Sequence, residues 1–217
     1  MPQVLFDVFE AYLKDKVSLS TEEIDRLRQI AIGKRVHRRQ YLLQEGDVWK
    51  YDAFVAKGCV RTYRRDDDGE EHILGFATEN WWTGNREALL SGEPSRLNID
   101  AIEDTDLVLF PHNRFDQLCV EIPALGNLIL TLFQRSFVIS QQRIEKSLSY
   151  TAEQKYTDFV QRYPQLVSRV PQTMTQSRSP GSSEEIARLA GILLNPFGLQ
   201  RRPGFYKFLI GTLGDRV

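Results

Sequence analysis

Three histidines, two cysteines and one dense acidic run have the widest chemical range in this chain, and their spacing excludes most of what they could do. His37, His72 and His112 fall on separate predicted elements, and no pair has the i, i+2 or i, i+4 spacing with which neighbouring imidazoles share a metal. They read as surface or hydrogen-bonded histidines. Cys59 and Cys119 are far apart and each is next to an apolar residue, which suits buried thiols and neither a disulfide framework nor an iron–sulfur ligand set. Asp66, Asp67, Asp68, Glu70 and Glu71 surround Gly69, the composition of a solvated turn. There is no G-x-S-x-G elbow, no P-loop, no G-x-G-x-x-G after a strand and no C-x-x-C, so the sequence points away from an enzyme.

The stretch Trp81-Trp82-Thr83-Gly84-Asn85-Arg86-Glu87-Ala88-Leu89-Leu90-Ser91-Gly92 is more informative, because a glycine turn leads into a helix of about two turns between two strands. Free amides at such a helix start bind anions. A phosphate there needs a guanidinium, and Arg86 and Arg96 are the candidates, the second on the following strand after Glu93-Pro94-Ser95. The alternative is a helix that merely closes one end of a β-roll, with both arginines in solvent, and periodicity alone favours it.

The elements that must position these residues follow from pattern and composition. At 217 residues, 41% hydrophobic and 26% charged, the chain suits one large or two small globular domains. Its 28 Lys and Arg balance 29 Asp and Glu, so any basic face is local. No run of about 18 apolar residues spans a membrane, and the amino terminus reads as an amphipathic helix without a signal-peptide core, so the expected location is cytoplasmic with no membrane partner. Apolar positions at helical spacing predict N-terminal helices over 1–33, with a capping box from Ser20 to Glu23. Residues 34–120 change to short β-rich runs, with strands predicted at 35–43, 52–57, 59–65, 70–77, 95–102 and 106–110 and a tight hairpin at Asp66–Gly69. The reading is α+β, built on a double-stranded β-helix (jelly-roll or β-roll).

Pro123 opens a long helix, within 121–149 and running to about Leu148, roughly 40 Å long with Gly126 as its weak point. One apolar stripe runs through Leu125, Leu128, Leu132 and Ile139, and a second through Leu130, Phe133, Phe137, Ile144 and Leu148. The first covers the roll; the second favours a homodimer over a helix sandwiched inside one monomer. Residues 150–217 form a small, mostly helical C-terminal region. Beyond Gln172 the composition changes: 173–183 reads as a linker, Ser183–Ala190 as one short helix, and the tail from Thr173 carries a net charge of about +3.

The order of these elements resembles the Crp/Fnr family of bacterial transcription factors, named for the cyclic-AMP receptor protein and the fumarate and nitrate reductase regulator. The likeness is carried by Leu43-Gln44-Glu45-Gly46-Asp47, by Phe54-Val55-Ala56-Lys57-Gly58-Cys59-Val60-Arg61, by Asp68-Gly69-Glu70-Glu71, and by Gly84 to Ala101, which looks like the family's phosphate-binding cassette. The helix from Pro123 is similar to its dimer helix. Thr151-Ala152-Glu153-Gln154-Lys155-Tyr156, Tyr163-Pro164 and Arg169-Val170-Pro171-Gln172 resemble the approach to its DNA-binding domain. Over about residues 20–172 the resemblance implies a homodimer that binds DNA and a small-molecule effector. The ligand site would use Gly84, Asn85, Arg86, Glu87, Ser95, Arg96 and Asn98.

Two departures qualify what is carried over. Members that bind cyclic AMP have a Gly-Glu pair whose carboxylate takes the ribose hydroxyl, and this chain has Gly84-Asn85. An Arg-Ser or Arg-Thr pair is expected next, whereas Ser95 precedes Arg96, and on a strand a one-residue shift reverses the face. These differences speak against cyclic AMP and leave another small ligand, or none, open; no cofactor is otherwise implied. In the tail, Ser183–Gly191 looks like the first helix and turn of a helix-turn-helix, but Ile192–Pro203 carries two prolines where a recognition helix belongs. Arg188, Gln200, Arg201 and Arg202 are the available DNA-contacting residues, in a domain that reads as diverged or frame-shifted. Three functions follow in order: a ligand-responsive regulator, a dimeric ligand-binding module that does not bind DNA, and a cupin-like enzyme.

Overall fold

The computed structural model describes residues 3–151 and, beyond them, 154, 157, 158, 160, 161, 164–167 and 169. The chain opens with α1 (Gln3–Lys14) and α2 (Thr21–Ile30), whose helical spacing gathers Phe6, Phe9, Tyr12, Leu13, Ile24 and Leu27 into one buried cluster. Between them the Glu23 amide donates to Ser20 Oγ, and the Ser20 amide donates to the Glu23 carboxylate, the reciprocal cap expected of this spacing.

Eight strands follow: β1 (Ile32–Val36), β2 (Tyr41–Leu43), β3 (Tyr51–Lys57), β4 (Val60–Arg65), β5 (Glu71–Ala77), β6 (Trp82–Thr83), β7 (Asn98–Ala101) and β8 (Thr105–Pro111). They pair antiparallel into two four-stranded sheets, ordered β1-β8-β3-β6 and β2-β7-β4-β5. Val36, Ala53, Val55, Leu107 and Leu109 of the first sheet meet Leu43, Val60, Ala77, Ile99 and Ala101 of the second, with Trp49 and Ala88 completing the roll interior. Alternate residues of β3 and β8, namely Phe54, Ala56, Val108 and Phe110, face outward and are covered by the helices. Burial on both faces is why 53–56 is a continuous apolar run.

Within the second sheet, Gly69 takes φ +82° at the tip joining β4 to β5, and its amide donates to the Asp66 carbonyl over 3.0 Å. The predicted strand 35–43 is two strands in different sheets. Arg39 turns the corner at φ +69°, its amide donating to the Ala101 carbonyl, so the chain leaves one sheet and joins the other within four residues. The predicted strand 95–102 shortens to β7, with Ser95–Leu97 as loop, and β6 was not expected at all.

After the roll, α4 (His112–Glu121) was also not expected, although Phe115, Leu118 and Ile122 have helical spacing and are buried. Next comes α5 (Pro123–Ser149), as the proline predicted. Gly126, weak as a helix former, sits where α4 and α5 nearly touch: a Cβ there would lie 2.4 Å from the Cys119 carbonyl oxygen. Leu125, Leu128, Ile129 and Leu132 join the helical cluster over the first sheet, whereas Phe137, Val138, Ile144 and Leu148 are exposed. A turn of helix at Pro164–Val167 closes the description. The predicted linker, the Ser183–Ala190 helix and Arg188, Gln200, Arg201 and Arg202 lie outside the described residues.

Candidate functional site

Between β6 and β7 lies the glycine turn and short helix that the sequence marked. Gly84 has φ +142°, and a Cβ on it would come 2.8 Å from Trp49 Nε1, so the bare backbone lets the indole lie against the turn. Asn85 is 2% exposed and caps α3 (Arg86–Ser91), its Oδ1 accepting from the Ala88 amide. Its Nδ2 donates to Ser95 Oγ over 2.9 Å; that hydroxyl donates to the Leu97 carbonyl and accepts the Leu97 amide. Asn98 Oδ1 accepts the Glu45 amide over 3.0 Å. Three of the predicted ligand residues therefore hold the cassette together by bonding one another or the backbone. Glu87 is half-buried on the helix and Arg96 is exposed.

Two expectations for this site change. Arg96 is on a loop rather than a strand, so the one-residue alternation does not determine its direction. Arg86 is not a free guanidinium above the helix start. Its Nη1 donates to Asp52 Oδ1 over 3.1 Å, and its guanidinium carbon lies 4.5 Å from the centre of the Phe133 ring on α5. Asp52 Oδ2 is in turn 2.7 Å from His112 Nδ1 at the start of α4. Burial pushes the Arg86 pKa below its ordinary value despite the carboxylate beside it. The arginine thus ties the cassette helix to the roll and the long helix, beside a narrow gap lined by Asp52, Trp82, Phe115, Ile129, Leu132 and Phe133.

All three histidines pair with aspartates: His37 with Asp104 at 3.3 Å, His72 with Asp66 at 2.7 Å, and His112 with Asp52. Cys59 is buried and Cys119 half-buried, and burial pushes both thiols up to about 12.

Residues that spacing could not single out complete the site. Trp49, 5% exposed in the roll interior, has an indole N–H with no hydrogen-bond partner among the described residues, facing the Gly84 turn. On the second sheet Arg61 makes a two-point pair with Asp100, Nε to Oδ1 at 2.7 Å and Nη2 to Oδ2 at 2.9 Å, and a third bond to Glu71. Burial opposes the Arg61 charge, but the two carboxylates outweigh it and hold its pKa above the ordinary value. Only the apolar neighbours of Trp49 and the strand alternation at Arg61 were visible in the sequence.

Residues 33–121 match the family model for the cyclic nucleotide-binding domain. The chain is 27% identical over 148 residues to the transcriptional activator protein Anr of Pseudomonas protegens, covering 66% of this chain and 59% of Anr. It is 27% identical over 180 residues to the transcriptional activator protein FnrA of Stutzerimonas stutzeri, covering 81% of this chain and 72% of FnrA. Residues 33–121 thus carry the cyclic nucleotide-binding domain, and the chain is similar beyond it to regulators of the Crp/Fnr type. Its fold matches that of the c-di-GMP-responsive global regulator CLP of Xanthomonas campestris, with a TM-score of 0.55 at 19% identity, over 79% of this chain and 85% of that one.

The glycine turn and short helix lie between β6 and β7, and their polar groups are distributed differently from the sequence expectation. Asn85 and Ser95 bond each other across the turn and helix, Gly84 lies against Trp49, and Asn98 holds the Glu45 amide. Arg86 serves the junction with α5 instead, and Arg96 is the guanidinium left exposed beside the cassette. Among the described residues no single helix is long and apolar enough to cross a membrane.

Proposed function

We propose that this chain is a ligand-responsive transcriptional regulator of the Crp/Fnr type, in which an effector at the cassette biases the packing of two long helices and hence the presentation of a C-terminal DNA-binding region. The observation that carries this reading is the division of α5. Its first turns are used on the roll, while Phe137, Val138 and Leu148 leave a second apolar face open, with Leu148 84% exposed. A second copy of the same helix fits such a face in a homodimer. The relatives' names are those of regulators, which points away from catalysis and supports a cytoplasmic site of action.

The ligand site rests on Trp49 Nε1, a buried donor without a partner among the described residues and beside Gly84, with Arg96 exposed on the loop before β7. Asn85 offers a neutral amide where a carboxylate serves the ribose of cyclic AMP, so the effector is a small molecule other than cyclic AMP. A second reading, a dimeric module without DNA binding, is favoured by Pro196 and Pro203 where a recognition helix belongs. Fluorescence anisotropy of a labelled promoter fragment, titrated at two salt concentrations with and without cyclic AMP, tests both. Salt-sensitive binding that survives competitor DNA supports the regulator. No binding under any condition, with a dimer by sedimentation, supports the module; a monomer would refute the reading of α5.

A further inference from the structure

Leu166 is fully buried although it lies far along the chain from the residues that bury it: Cys59, Tyr63, Ile73, Phe76 and Ile102, with Val160 alongside. Apart from the Cys59 turn and Ile102, this pocket is made by β4 and β5. Three residues further on, Arg169 grips Glu79 with two parallel bonds, Nη1 to Oε2 at 2.8 Å and Nη2 to Oε1 at 2.9 Å, and also bonds Glu103. Glu79 Oε1 simultaneously accepts the Gly58 amide over 2.7 Å. At the other end of the segment Lys146 of α5 pairs with Asp158 at 2.6 Å. Asp158 is therefore fastened to the long helix, and Leu166 and Arg169 to the roll.

The position of Glu79 gives this contact its meaning. It sits between β5 and β6, five residues before Gly84, in a stretch held by three backbone bonds: Asn80 amide to Val55 carbonyl, Val55 amide to Trp81 carbonyl and Trp81 amide to Thr78 carbonyl. The carboxylate that holds Arg169 is thus on the same short, bonded stretch that leads into the cassette. One leucine and one ion cluster, its side chains 24% to 38% exposed, make a contact small enough to open locally while the roll stays folded.

We propose that the roll surface around Cys59 is a docking site for Val160, Leu166 and Arg169 of the same chain, clamped by Glu79 and Glu103 on Arg169, and that Glu79 ties this docking to the cassette. The position of whatever follows residue 169 is then coupled to the cassette within one subunit, without passing through the dimer helix. Such coupling acts in both directions, so freeing Arg169 must loosen the Glu79–Gly84 stretch. The docking needs neither DNA nor effector; only its use as a signal rests on the regulator reading.

Hydrogen exchange of the full-length chain without ligand or DNA tests it. Arg169→Gln removes the paired charge-assisted bonds and Leu166→Ala empties the pocket; each is expected to speed exchange in 160–169 about tenfold or more. Arg169→Lys, which keeps the charge and loses the two-point geometry, falls between wild type and Gln. Residues 3–30, packed on the opposite sheet, keep their wild-type rates and report that the variants fold. The tie to the cassette predicts at least threefold faster exchange in 78–85 of Arg169→Gln. Unchanged exchange in 160–169 in both Arg169→Gln and Leu166→Ala overturns the docking. Faster exchange in 160–169 with 78–85 unchanged overturns the tie to the cassette and leaves the docking standing. Neither result depends on whether the protein binds DNA.

Discussion

Removing either partner of the Arg86–Asp52 pair should have very different consequences, because the two are not equally replaceable. Asp52, with its side chain 10% exposed, is shared by Arg86 at 3.1 Å and His112 at 2.7 Å. In Asp52→Ala the Arg86 guanidinium, 14% exposed, keeps the Phe133 ring and loses its carboxylate. Stranding one member of a buried pair costs about 3–5 kcal/mol; the remaining exposure and the aromatic face favour the lower figure, about 3 kcal/mol. In Arg86→Met the apolar side chain refills the space against Phe133 while Asp52 keeps His112, so the expected cost is only about 1 kcal/mol. For a chain of this size these correspond to losses of about 6–12 °C and 2–4 °C in Tm. Urea unfolding followed by the fluorescence of the three tryptophans, with a parallel thermal scan, reads both. Equal losses, or a larger loss for Arg86→Met, would refute the view that Asp52 is the hub joining the roll, the cassette helix and the long helix.

Three further outcomes are expected. Gly126→Ala gains about 1 kcal/mol of helix propensity, but its Cβ would meet the Cys119 carbonyl oxygen at 2.4 Å; the clash costs about 2–3 kcal/mol, so the variant is net destabilised and any rise in Tm would contradict the close α4–α5 packing. Burial pushes the Glu71 carboxyl up, yet Arg65 and Arg61 outweigh it and leave it below the ordinary 4.5. Its stabilisation is therefore complete above about pH 4.5 and lost as pH falls through the lowered folded value, so the gap in urea midpoint between wild type and Glu71→Gln should narrow as pH falls below 4.5. With both thiols pushed up to about 12, only about one in ten thousand is ionised at pH 8, so a disulfide reagent should titrate neither cysteine quickly until denaturant is added. Rapid labelling of Cys59 in the native protein would show that its pocket opens.

What the sequence determined was local. The Ser20–Glu23 cap, the Asp66–Gly69 hairpin and the Pro123 helix start each depend on side chains within four residues of one another, and each is found where the spacing put it. The order of these elements was enough to indicate the Crp/Fnr resemblance and the cassette. The tertiary structure decided everything that depends on which distant group answers a side chain. It divided 35–43 between two sheets, because the Arg39 amide finds the Ala101 carbonyl. It turned Arg86 away from the anion site expected of it, because Asp52 and Phe133 are close enough to hold a buried guanidinium. Arg169, read only as part of an approach to a further domain, proved to be clamped by Glu79 and Glu103. A one-dimensional pattern carries periodicity and chirality preferences, whereas the partner of a charge is set by the folded path of the whole chain, which brings Arg169 and Glu79 together across ninety positions.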